Sequence, residues 1–87
     1  MDNEKLLSQS IGKNVRALRY KLDKTIEELA WDSKLDATFV GEIERGKVSP
    51  STYTVFKLAV GLELDNPLIL LMEGRDEVYP LMKKEEE

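Results

Sequence analysis

The sequence predicts an all-α fold, a compact five-helix domain, and three observations carry that prediction. Apolar residues recur at helical spacing early in the chain, cap residues and glycines punctuate the rest at short intervals, and strict period-two alternation is missing. The chain has 87 residues, enough for one domain with a modest core. It contains no cysteine, so cohesion must come from packed apolar side chains and not from disulfides or thiolate metal sites.

Leu7, Ile11, Val15, Leu18 and Leu22 form the stripe of an amphipathic first helix, which Asp23 and Lys24 break. Thr25 and Glu28 then stand as Thr-x-x-Glu, a capping box in which each side chain satisfies an amide left free at a helix start. It opens a second helix of about eight residues that buries Leu29 and Ala30. After "DSK", Asp36 is placed to cap a third helix with Phe39, Val40 and Ile43 inside, and Gly46 stops it. The segment "GKVSPS" is a loop by composition, and Ser51 caps a fourth helix burying Val55, Leu58, Ala59 and Leu62. Asn66 and Pro67 open a fifth helix, carrying "LILLM", that Gly74 closes. Residues 1–74 thus read as one domain. Residues 75–87 read as an acidic tail, partly disordered or associated with a dimer partner.

The formal charge is −4, which argues weakly against a polyanionic partner until its distribution is considered. Residues 73–87 hold six acids and three bases, whereas residues 1–72 hold eleven and ten, so the tail supplies most of the excess. Residues 12–24 hold five bases and one acid, and residues 26–44 hold six acids and only Lys34. "LILLM" falls far short of the roughly 20 apolar residues of a membrane span, and the N-terminus lacks a basic-then-apolar signal pattern. A cytoplasmic location away from the membrane is expected. With no histidine, no cysteine and no glycine-rich phosphate loop, neither an enzyme nor a cofactor or metal site is expected.

The second and third helices, too short to be stable alone, must pack on each other and on the first. Leu29, Leu35, Val40 and Ile43 fill the angle between them, and Ala30 permits close approach. This is the helix-turn-helix pattern, in which the second helix of the pair enters a major groove.

From about Ile11 to Leu71 the chain resembles the lambda-repressor-like (XRE/Cro) helix-turn-helix family. The residues that carry the likeness are "IGKNVRALR", "EELA", "IERG" and "SPS" before a "KLAVG" helix, in order and at family spacing. The resemblance implies a sequence-specific transcriptional regulator acting on double-stranded DNA, with a structural ion pair between Arg19 and Glu44. It places base contacts at Ala37, Thr38, Gly41 and Glu42, and puts Arg45 and Lys47 at the backbone or groove edge. Thr38 and Ala37 can touch a thymine methyl, and Glu42 can accept from the amino group of cytosine. Amides near Thr25 and Ser51 can bind phosphate at helix starts. Lys24, Lys21 and Arg16 are further candidate cations.

Two features depart from the family pattern, and Trp31 stands out beside them. Ile26 stands where many members carry a phosphate-binding glutamine. Lys34 replaces the favoured turn glycine and must adopt a left-handed conformation or reshape the turn. Trp31 lies off the buried face of its helix, folded over neighbouring side chains or exposed for contact, with packing the preferred reading. The fifth helix exceeds what one core can bury, which calls for a homodimer through it and the residues after Gly74. Tyr79, Leu81 and Met82 join that interface or drape over their own domain. A rival function is a protein-interaction module of antitoxin or anti-repressor type, with an acidic third helix docking a basic regulatory partner.

Overall fold

The structure, a computed structural model, describes residues 2–85, so the last two residues of the expected tail lie outside it. Helix α1 spans Asn3–Lys21, α2 Ile26–Ser33, α3 Ala37–Glu44 and α4 Thr52–Gly61. A 3-10 helix over Pro67–Leu71 leads directly into α5, Met72–Glu77, and α6 follows over Tyr79–Glu85. Among the described residues there is no strand, and no helix is long and apolar enough to cross a membrane.

The helix starts follow the cap chemistry of the sequence. Thr25 accepts from the Glu28 amide while the Glu28 carboxylate accepts from the Thr25 amide, completing the capping box. Asp36 accepts from the amides of Thr38 and Phe39, Ser51 from that of Thr54, and Asn66 from that of Leu68. The helix ends follow a repeated device. After α1, α2, α3 and α4 one residue turns left-handed, respectively Asp23, Lys34, Gly46 and Glu63. The next amide then reaches back to the closing turn, as Lys24 does to the Arg19 carbonyl and Leu35 to the Ala30 carbonyl. Only one of these four positions is glycine, so the other three carry a conformational cost that packing must offset.

Val15, Leu29, Val40, Ile43, Leu58 and Leu70 are fully buried. They come from α1, α2, α3, α4 and the 3-10 helix, so a single core is shared by every element up to residue 71. Leu35, Phe39 and Leu18 pack against it from the rim. Removing side chains of this size from such a core costs about 2–5 kcal/mol each.

The C-terminal part differs from the five-helix expectation. Gly74 does not close a helix; it lies buried inside α5, where an added Cβ would press on the Leu7 side chain, so it is a close-approach glycine between α5 and α1. The chain turns at Val78 instead, whose side chain is buried, and α6 continues beyond it with no buried residue. Ser10 Oγ and Lys13 Nζ, both on α1, donate to Glu73 at 3.1 and 3.4 Å and tie α5 down from its polar side.

Candidate nucleic-acid interface

The position of α3 is fixed from behind by α1. Gly12 brings the α1 backbone against the last turn of α3, where a Cβ would collide with the carbonyls of Ile43 and Glu44. A few residues further along α1, Arg19 Nε donates to Glu44 Oε2 at 2.7 Å and Nη2 donates to Oε1 at 2.9 Å. Arg19 Nη1 donates to the Lys24 carbonyl at 2.8 Å, which locks the α1–α2 turn to the same guanidinium. The Glu44 side chain is 0 % exposed and that of Arg19 8 %. The bonds to Glu44 hold the Arg19 pKa above its ordinary value despite desolvation. Arg16 adds a third bond to Glu44 Oε1 at 3.3 Å. Glu44 is therefore turned inward and neutralised, and it contributes little negative charge to the outer side of α3.

The predicted site residues divide into three groups. Thr25, Thr38, Arg45, Lys47 and Ser51 are exposed. Glu42 and Ala37 are half-buried, and Ala37 packs on the rim of the core. Gly41 is buried, contrary to the open face its position implied, because the Arg45 guanidinium lies over it. The position of a Gly41 Cβ is 3.1 Å from Arg45 Nη1 and 3.9 Å from Cζ. Arg45 and Lys47 form no ion pair among the described residues.

Other cations are committed elsewhere. Lys24 is no free contact residue: its ammonium donates to the Gly61 carbonyl at 2.7 Å and lies 2.8 Å from Asp32 and 3.7 Å from Glu63, joining the α1–α2 turn to α2 and to the end of α4. Arg16 is turned partly toward Glu44. Lys21 stays exposed at the end of α1.

Lys34 takes the left-handed conformation, with φ 57° and ψ 47°, so the α2–α3 turn keeps its shape without glycine. Trp31 corrects the packing expectation: it is 83 % exposed, because α2 turns Leu29, Ala30 and Ser33 inward and places Trp31 on the opposite side with Glu27 and Glu28. Sequence reading missed the contact between Arg45 and Gly41. Its signal is the spacing of four, which places the two on one helical face and leaves bare backbone for a long side chain reaching toward the N-terminus. An open trough borders Arg45 and Lys47, with Asp2, Glu4, Lys5 and Gln9, at the start of α1, on its other wall.

No family profile matches the sequence, and no curated protein does. Solved structures do. The restriction-modification controller protein C.AhdI from Aeromonas hydrophila is 35 % identical over 72 % of this chain and 94 % of its own, with a TM-score of 0.69. A point mutant of the restriction-modification controller protein C.Esp1396I is 25 % identical over 82 % of this chain and 92 % of its own, with a TM-score of 0.72. The clp gene regulator ClgR from C. glutamicum, at 24 % identity, 80 % and 90 % coverage and a TM-score of 0.72, shares the fold. On the inward-turned Arg19–Glu44 pair, the exposed helix behind it and the extent of the match to C.AhdI, this chain belongs to the lambda-repressor-like helix-turn-helix family, the XRE-like group that includes those controller proteins.

Proposed function

We propose that the protein is a sequence-specific DNA-binding regulator of the XRE type, working as a homodimer, with α2 and α3 as the helix-turn-helix and α3 lying in the major groove. The observation that carries this reading is the outer side of α3: it presents an exposed Thr38 and ends in two exposed cations, Arg45 and Lys47, that form no ion pair among the described residues. The nearest acid within the helix, Glu42, is half-buried, and Glu44 is consumed by α1. First-turn amides of α2 and α4, beside Thr25 and Ser51, have no helical acceptor and suit phosphate oxygens. The controller role of the 35 % identical C.AhdI agrees with a regulatory task for this chain.

Residues 1–74 are the DNA-binding unit in this reading, and residues 75–87 extend its dimer surface. Leu68 is 54 % exposed and Met72 43 %, and Tyr79, Leu81 and Met82 of α6 are likewise uncovered. A twofold partner burying them would set two α3 helices one DNA turn apart and double the phosphate contacts.

Binding to DNA fragments measured as a function of salt tests the proposal. Affinity falls steeply with salt, and Lys47→Ala lowers the slope of log K against log salt by about one. Absence of DNA binding at low salt would leave the rival docking module. One observation favours that rival: Trp31 stands exposed on the same side of α2 as Glu27 and Glu28, a surface suited to a basic protein partner.

A further inference from the structure

The geometry points to Arg45 as the residue that reads a guanine, held on the face of α3 by the absence of a side chain at Gly41. This inference rests on the DNA-binding reading above and assigns the base chemistry of that same site.

At 100° per residue, Thr38 and Arg45 fall near the middle of the outer side of α3, with Gly41 on one flank and Glu42 on the other. Arg45 stands at the C-cap of the helix, where a long side chain has two courses. It can run outward toward a phosphate, or back along the helix toward its N-terminus. The structure takes the second course. Nη1 stands 3.1 Å from the place of a Gly41 Cβ and Nη2 3.9 Å from it, so the guanidinium covers the bare backbone of Gly41 and buries it. The same lean carries the cation away from Glu42, with which it forms no ion pair.

The chemical consequence concerns which DNA group the guanidinium meets. A cation at the helix exit meets the backbone. One drawn back over Gly41, on the flank of the outer face, is brought toward base edges when that face lies in a major groove. A planar fork of donors matches the O6 and N7 acceptors of guanine, and no other base edge offers that pair. Holding the fork against the helix before binding removes part of the rotamer freedom that binding would otherwise have to remove. Gly41 is then a positioning residue. An alanine there would crowd Nη1 and shift the guanidinium by a few tenths of an ångström.

Selection of binding sites from random double-stranded DNA tests this with the full chain, Arg45→Ala, Arg45→Lys and Gly41→Ala, each verified as folded by its thermal transition. Wild type enriches a guanine at one position of each half-site, preferred over other bases by about 5- to 150-fold. Arg45→Ala loses preference at that position and keeps it at the others, and Arg45→Lys, which can still donate to O6 and N7 but lacks the planar fork, keeps only a reduced preference there. Arg45→Lys retains wild-type binding to nonspecific DNA, because its charge is intact. Gly41→Ala, with no charge altered, weakens the same position and no other. Uniform weakening across all positions by Arg45→Ala, or a guanine preference untouched by Gly41→Ala, overturns the inference while the DNA-binding reading stands. Absence of any DNA binding by wild type removes both.

Discussion

Replacing Arg19 by methionine removes the central cation of the α1–α3 joint while keeping most of the side-chain volume. Two short bonds to Glu44 and one to the Lys24 carbonyl disappear. The Glu44 carboxylate, wholly buried, keeps only the longer bond from Arg16 at 3.3 Å. Breaking a buried pair on one side costs roughly 3–5 kcal/mol, because the remaining charge is stranded. Arg16 is close to half-exposed and can move in, so the lower end, about 3 kcal/mol, applies. In a domain of this size that lowers the midpoint of thermal unfolding by roughly 12–24 °C. Arg16→Met, which removes the more exposed partner, costs no more than about 1 kcal/mol. Glu44→Leu strands Arg19 and is costly alone, whereas the Arg19→Met, Glu44→Leu double variant recovers much of the loss. Urea and thermal unfolding of wild type, the two single variants and the double yield the coupling energy. The bonds to Glu44 raise the Arg19 pKa, so this contribution is complete below the unfolded value and is lost only as pH rises through the still higher folded value. Arg19 therefore brings no pH dependence near neutrality. An Arg19→Met protein within about 0.5 kcal/mol of wild type, or singles that simply add in the double, would mean that Glu44 is not stranded when its partner goes.

Gly12→Ala drives a methyl into the carbonyls at the end of α3 and is expected to destabilise by about 1–3 kcal/mol, read from denaturant midpoints. Lys34→Gly relieves a left-handed residue at the expense of a more flexible unfolded chain, so a change between neutral and about 1 kcal/mol stabilising is expected in the same assay. Lys24 has a pKa raised first by its hydrogen bond to Asp32; the stability it adds is complete below the ordinary lysine value and falls as pH rises through the higher folded value, so Lys24→Met flattens the alkaline limb of a plot of melting temperature against pH. Leu68→Glu with Met72→Glu places charge on the exposed apolar surface, and on the homodimer proposed above sedimentation should report a monomer at concentrations where wild type associates.

Local signals make much of the fold legible. Thr25, Asp36, Ser51 and Asn66 act as caps because their side chains meet amides two or three residues away, an interaction that sequence spacing alone determines. The buried stripes are equally readable, since Val15, Leu29, Val40 and Leu58 follow helical periodicity. What escapes depends on distant contacts. Gly74 has the composition of a helix stop, but Leu7, far away in sequence, makes it a packing glycine. Lys24 looks like a free cation until the fold brings Asp32, Gly61 and Glu63 around it. Trp31 misleads because its hydrophobicity suggests packing, whereas its position on α2 decides its exposure. At the site, the family resemblance separates Glu44 from Glu42 in sequence by pairing Glu44 with Arg19, whereas the half-burial of Glu42 and the cover of Arg45 over Gly41 depend on packing.

If DNA meets the outer side of α3, backbone amide chemical shifts recorded as DNA is added to the full chain will locate the contact. The largest perturbations are predicted at Thr38, Gly41, Glu42, Arg45 and Lys47, with a second set beside Thr25 and Ser51, and little change around Trp31. Perturbations centred on Glu27, Glu28 and Trp31, with the outer side of α3 silent, would place the partner on α2 and remove the groove-reading role from α3.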